Sequence, residues 1–266
     1  MHFFFAYCRR KAAFLLEHVM TAKKFSNADL RFQACLAFTL KYEGGRSNDP
    51  RDPGGRTMEG VTQATYDAYR ERTRRARRDV FTIEAAERDE IYRNEYWDRI
   101  DGNRLCAGED LCVFDFAVNS GPARALEVWT KIGPCKVDDM IHGICAHRLS
   151  FLHALRTWSH FGAGWGRRVA ACEALALRMA YGKAAPEVLT RKAGEANFHS
   201  GKKSTQAVAG GTIMGSATIA HAVHGGMTGA TEIRILVVVA VLAGIFFFHA
   251  WRQSQRAAAF VTEAKR

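Results

Sequence analysis

Glu43-Gly44-Gly45-Arg46-Ser47-Asn48-Asp49-Pro50-Arg51-Asp52-Pro53-Gly54-Gly55-Arg56-Thr57-Met58-Glu59-Gly60-Val61-Thr62 is a loop dense in Gly, Pro, Asp and Asn. It follows a helical pattern. Ser26 and Asn27 are good caps for a helix over about Ala28 to Tyr42, and Phe32, Leu36 and Leu40 recur at i, i+4 and i+8. Gly44-Gly45 ends that helix, and a short hairpin fits within 44–60. Glu43 falls on the apolar stripe, at i+11 from Phe32. A carboxyl there is partly desolvated and meets the negative end of the helix dipole. Both effects favour the protonated form that a general acid needs. Asp52 lies nine residues later in a polar loop, where it stays ionised. Two carboxyls pushed apart in this way meet the requirement of glycoside cleavage, and Thr57 could hold a water between them.

Outward from this loop the chain reads as helices. Thr62 begins one through Tyr69, and Thr82 caps another through Trp97. Further helices are expected at 109–119, 122–132, 146–159 and 165–181, with Pro122 in a first turn. Alternating strand patterns are few, so the fold class is mainly α with at most a small β-hairpin. The chain has 266 residues, with 38 Lys+Arg against 27 Asp+Glu and a net charge of +11. A basic surface suits an anionic partner such as nucleic acid, lipid headgroups or a wall polymer. Six arginines crowd positions 70–78, which read as a solvated face or as an attraction to an anionic wall. No helix-turn-helix, zinc or RNA-binding signature accompanies them, so a nucleic-acid partner is not expected. Seven cysteines (Cys8, Cys35, Cys106, Cys112, Cys135, Cys145, Cys172) make an odd count without a C-x-x-C pair. They read as mostly buried free thiols of a protein made in a reducing compartment, with no zinc site. His147, His153 and His160 have no metal-ligand spacing, so no metal and no cofactor are expected.

Two further blocks accompany the loop: Ile91-Tyr92-Arg93-Asn94-Glu95-Tyr96-Trp97 and Phe114-Asp115-Phe116-Ala117-Val118-Asn119-Ser120-Gly121. With E-G-G-x-S-N-D-P-x-D-P-G-G-x-T-x-x-G-V-T, these three blocks, in this order, resemble glycoside hydrolase family 108, the phage and prophage N-acetylmuramidases. The resemblance covers roughly residues 30–121. It implies a lysozyme-like helical fold and makes Glu43, the Glu of E-G-G, the catalytic acid. The Glu43, Asp52 and Thr57 spacing also resembles the Glu-Asp-Thr arrangement of phage-type lysozymes. Arg46 and Met58-Glu59 depart from the family pattern, which could alter a sugar subsite. Residues 122–182 resemble the peptidoglycan-binding domain that usually follows, through Phe161-Gly162-Ala163-Gly164-Trp165-Gly166-Arg167-Arg168. Its usual turn is degraded at 138–145, and these helices could instead complete the catalytic fold. Trp97, Trp129, Trp158 and Trp165 could stack on sugars or pack in the core. Tyr96 stands in the same block as Trp97, and Asn119 could bond an N-acetyl group or cap a helix.

Ile235 to Trp251 carries no formal charge apart from His249 and is bracketed by Arg234 and Arg252. This length reads as a transmembrane helix. The domains expected are an N-terminal extension (1–24), a catalytic domain (25–121), a peptidoglycan-binding helical domain (122–182), a basic then Gly/Ala-rich linker (183–231), a transmembrane helix (232–252) and a basic tail (253–266). Phe3 to Ala6 precede Arg9, Arg10 and Lys11, the reverse of a cleavable signal. The enzyme is therefore expected in the inner membrane, single-pass or with two spans, acting on peptidoglycan glycan strands and released with a holin-like partner. The reaction expected is cleavage of the β-1,4 bond between N-acetylmuramic acid and N-acetylglucosamine. A lytic transglycosylase and a non-catalytic wall-binding or secretion-assisting protein are the alternatives.

Overall fold

Helix α1 (Asn27–Leu40) opens the part of the chain that the computed structural model describes, which comprises residues 27–48, 55–201 and 229–266. It buries Phe32, Cys35, Leu36, Phe38 and Thr39. It ends two residues before the sequence expectation. The Tyr42 and Glu43 N–H groups then both donate to Thr39 O, at 2.9 and 3.2 Å, and carry the chain off the helix in a tight turn.

Three two-residue strands follow: β1 (Arg46–Ser47), β2 (Thr57–Met58) and β3 (Val61–Thr62), antiparallel in the order β1-β2-β3. The β2–β3 connection is Glu59-Gly60, with φ of 47° and 80°. Positive φ at both central residues marks a type I′ turn, whose twist matches that of a hairpin. Pairing of Arg46 with Met58 and Ser47 with Thr57 adds a strand to the hairpin expected from sequence.

Thr62 caps α2 (Gln63–Arg72) by accepting from the Thr65 N–H. The arginine run that follows does not simply face solvent. Arg70 is buried and pairs with Glu87 at 2.7 Å, Arg75 reaches the same carboxylate, and Arg72 pairs with Glu95. The run thus wraps the acidic side of α3 (Ala85–Tyr92), which begins after a short turn capped by Asp79 rather than by Thr82. A π-helical turn, Arg93–Trp97, continues α3 and brings Trp97 into the core.

Helix α4 (Glu109–Ser120) is the centre of the molecule, with every residue from Glu109 to Ala117 buried. Around it pack α1, α5 (Pro122–Ile132), α6 (Val137–His153) and α7 (Trp158–Tyr181). Residues of 27–121 and of 122–182 therefore share one hydrophobic core. Both α6 and α7 begin earlier than periodicity suggested, and their glycines serve as contact surfaces within the helices. A Cβ on Gly143 would stand 2.9 Å from Ile132, and one on Gly162 2.5 Å from the Trp158 ring.

Residues 183–201, expected as linker, form a short turn and a helix, α8 (185–201), that buries Ala185, Leu189 and Ala193. Lys192 pairs with Asp138 at 3.0 Å. The rest of the expected linker, 202–228, and the extension 1–24 lie outside the described residues.

The transmembrane expectation is overturned. Among the described residues no helix is long and apolar enough to cross a membrane. Ile235 to Trp251 belongs to a longer helix, α9 (Gly229–Ala264), whose second half docks on α7. Phe248 and Trp251 meet Trp158 with ring centroids 5.9 and 5.8 Å apart. Arg256, in the expected tail, forms a two-pronged pair with Glu173, and Glu263 pairs with Arg178 at 2.8 Å. Phe260 is fully buried. The sequence reading rested on an uncharged run between Arg234 and Arg252, and α7 supplies a protein surface for its C-terminal part. Val237, Val238, Val241, Leu242, Ile245 and Phe247 remain exposed.

Gly166 lets this docking occur, since a Cβ there would lie 2.1 Å from Trp251. Gly166→Ala is expected to destabilise the protein by about 1–3 kcal/mol through overpacking. Thermal unfolding would register it, and an unchanged melting temperature would show that α9 does not sit here.

Candidate active site

Glu43 leaves the end of α1 with its side chain 21% exposed, half sunk between two very different walls. One wall is ionic. Arg168, on α7 and 125 residues downstream, donates from Nη2 to Glu43 Oε1 at 2.9 Å. The same guanidinium donates to both oxygens of Asp115 on α4, at 2.7 and 3.2 Å. Asp115 is fully buried and also accepts from Arg148 Nη1 at 2.5 Å and Thr39 Oγ1 at 2.9 Å. Two carboxylates and two guanidiniums thus balance in charge. Burial acts to raise the Asp115 carboxyl, but Arg148 and Arg168 outweigh it and hold it at about 2. Arg168 is pushed above the ordinary guanidinium range: burial opposes its charge, and Asp115 and Glu43 more than compensate. Its guanidinium carbon also lies 5.3 Å from the centre of the Tyr42 ring.

The other wall is the β2–β3 hairpin and α3. Tyr92 Oη donates to Glu59 O at 2.9 Å and so ties α3 to the turn. A Cβ at Gly60 would lie 3.3 Å from Glu43 Oε2 and 2.3 Å from Tyr92 Oη. Glycine is needed twice at this position, for its φ of 80° and for the space. Burial, and then the charge of Glu43, raise both Tyr92 and Tyr96, so their phenols stay neutral donors. The two rings sit 5.6 Å apart. On the Tyr42 side a groove of about 330 Å³ is lined by Lys41, Arg167, Gln255 and Arg266, among others, so the end of α9 forms part of its wall.

Gly60→Ala is expected to lower activity by roughly ten-fold or more, through the ~1 Å displacement of Glu43 or Tyr92 that the new methyl demands. Circular dichroism should change little. Full activity in the alanine variant would show that the hairpin does not set the position of Glu43.

The candidates from sequence divide. Glu43 and Tyr96 come together with Tyr92 and Gly60. Thr57 stands on the middle strand, half-buried, and its hydroxyl donates to Gly55 O at 3.1 Å rather than to Glu43. Asn119 is exposed near the end of α4, one turn beyond Asp115, and accepts from Ser120 Oγ. Asp52 lies outside the described residues. Trp97 must be withdrawn as a sugar contact. It is wholly buried, packed edge-on against Phe32 and Phe114, and its indole N–H donates to Asn103 Oδ1. The sequence reading missed Arg168, Asp115 and Tyr92. Asp115 inside Phe114-Asp115-Phe116, and Arg168 in an apolar helix, were the available signals, since charges in such places require partners.

Residues 36–121 match the family described as Glycosyl hydrolase 108. The solved structure of Brucella abortus SagA is 32% identical to this protein, over 57% of this chain and 97% of that one, with a TM-score of 0.50. No curated protein matches. The matched segment carries Glu43, Gly60, Tyr92 and Asp115, and with SagA covered almost end to end the chain belongs to the glycosyl hydrolase 108 family.

Proposed function

We propose that the protein is a peptidoglycan hydrolase that cleaves the β-1,4 bond between N-acetylmuramic acid and N-acetylglucosamine, with Glu43 as proton donor. The observation that carries this reading is the setting of Glu43: partly exposed, gripped on Oε1 by Arg168, and flanked by Gly60 and two tyrosines. A single fixed carboxyl at the mouth of a helix is what protonation of a glycosidic oxygen requires. Arg168 and the hairpin fix its direction, so the proton is delivered along one line. Donation returns Glu43 to the carboxylate that Arg168 already holds at Oε1. Asp52 then orients the attacking water or stabilises the oxocarbenium-like transition state. The distance between the two carboxyls sets inversion or retention. In this reading Tyr96 and Asn119 contact the glycan, and Thr57, hydrogen-bonded to Gly55 O, supports the hairpin beside Glu43.

Digestion of purified peptidoglycan followed by mass spectrometry tests the reading. New reducing N-acetylmuramic acid ends are expected. Anhydro ends, lighter by one water, would make the protein a lytic transglycosylase. Absence of any new ends with folded protein would make it a non-catalytic wall-binding module.

A further inference from the structure

Three cysteines far apart in sequence meet in the core. Cys112 on α4, Cys145 on α6 and Cys172 on α7 are 1%, 3% and 0% exposed, and all are free thiols. Cys112 Sγ lies 3.7 Å from Cys145 Sγ and 4.0 Å from Cys172 Sγ. All three sulfurs fall within 4.8 Å of one another. Three sulfurs bonded to one ion at the ~2.3 Å of a metal–thiolate bond would stand ~4.0 Å apart in a plane around it. The sulfur triangle already has nearly this size, with the side chains packed and no helix moved.

The placement of the triangle is specific. Cys112 is three residues from Asp115 on α4, Cys145 three from Arg148 on α6, and Cys172 four from Arg168 on α7. Each of these steps is about one helical turn. The same three helices therefore present two adjacent layers to one another. One layer is the ion network that grips Glu43, and the next is made only of thiols.

We propose that Cys112, Cys145 and Cys172 form a metal site that takes one thiophilic ion in three-coordinate geometry, univalent copper being the best match. Thiolate donors select copper(I), zinc or iron–sulfur centres. Structural zinc takes four ligands, and a zinc with three keeps an open position for water. Among the described residues no fourth His, Cys, Asp or Glu joins this cluster, and its near-complete burial leaves no open position. Copper(I) is satisfied by three sulfurs alone. Binding releases the three thiol protons to solvent and leaves three thiolates around the one univalent ion, with no change of oxidation state and no sulfur–sulfur bond. Because the thiols are enclosed, the ion enters before α6 and α7 close on α4, so uptake is coupled to folding. Once bound, it clamps together the three helices whose next layer positions Arg168 on Glu43.

The test refolds the full chain anaerobically with copper(I) and then strips surface metal with a copper(I) chelator. One copper per chain is expected to remain, with X-ray absorption reporting three sulfurs at ~2.3 Å. Amide exchange in α4, α6 and α7 should slow relative to the metal-free protein. Cys112→Ser, Cys145→Ser and Cys172→Ser should each lose the retained copper, whereas Cys135→Ser, at an exposed thiol, should keep it. If a core variant fails to fold, the sulfur count on the wild-type chain still decides. Failure to retain copper overturns the proposal. So does a two-sulfur or nitrogen/oxygen environment, retention by the core variants, or a disulfide between Cys112 and Cys145 in place of metal. None of these outcomes depends on whether the protein cleaves peptidoglycan.

Discussion

Glu43→Gln is expected to lower turnover on purified peptidoglycan by ~10²–10⁴-fold or more, the contribution of a positioned general acid. The fold should survive. Glutamine keeps an oxygen where Arg168 Nη2 now donates at 2.9 Å, and Asp115 still holds Arg168 through two bonds and Arg148 through a third. The position is partly exposed, so the lost negative charge is shared with solvent. What disappears is the group at the end of α1 that can take up and pass on a proton. Turnover should be measured beside circular dichroism and the melting temperature. Near-wild-type turnover in a folded variant would remove Glu43 from the chemistry and leave the glycosyl hydrolase site unassigned.

The second large effect is on stability. Asp115→Asn leaves Arg148, 2% exposed on its side chain, and Arg168, 8% exposed, without their shared buried carboxylate. Breaking one partner of such a group typically costs about 3–5 kcal/mol, because the remaining charges stay buried and uncompensated. For a chain of this size that corresponds to a melting temperature lower by about 10 °C. The effect carries a pH signature. The folded-state Asp115 carboxyl sits at about 2, below its ordinary 3.8. Its stabilising contribution is therefore complete above the ordinary value and is lost as pH falls towards about 2. Melting curves of the wild type and Asp115→Asn should lie far apart at neutral pH and converge on acidification through that window. Curves that stay parallel down to pH ~2 would mean that the stabilisation does not come from the ionised carboxylate. Activity should fall as well, since Arg168 would lose the partner that orients it towards Glu43.

These two residues divide the molecule by what could be read beforehand. Glu43 stood out as a candidate because everything that marks it lies within a few residues: the apolar stripe of α1, the Gly44-Gly45 stop and the turn-rich loop. A short hairpin near this loop and a helix beginning at Thr62 were legible for the same reason, as local backbone chemistry sets them, whereas the turn at Glu59-Gly60 was located only by the structure. Asp115 was in view within a quoted block but had no role, because its partners Thr39, Arg148 and Arg168 come from three other helices. Trp97 was misassigned as a candidate contact because an aromatic residue beside a site looks the same in sequence whether it faces a sugar or the core.

Helical periodicity and turn residues, which act between near neighbours, were enough for the sequence alone to determine the mainly α class, the place of Glu43 at the end of the first helix and the existence of a small hairpin. It could not determine the company those elements keep. The run Ile235–Trp251 is as apolar as it looks, but hydropathy measures departure from water and does not name the destination. The Trp158–Gly166 face of α7 supplies that destination for Phe248 and Trp251. The glycines of α7 carry a cost that is local, whereas their use, a ring lying on the backbone, is not. The grip of Arg168 on Glu43 and the meeting of Cys112, Cys145 and Cys172 were decided only by tertiary packing. A contact across 125 residues, or a triangle of sulfurs from three helices, exists only after those helices have docked on α4.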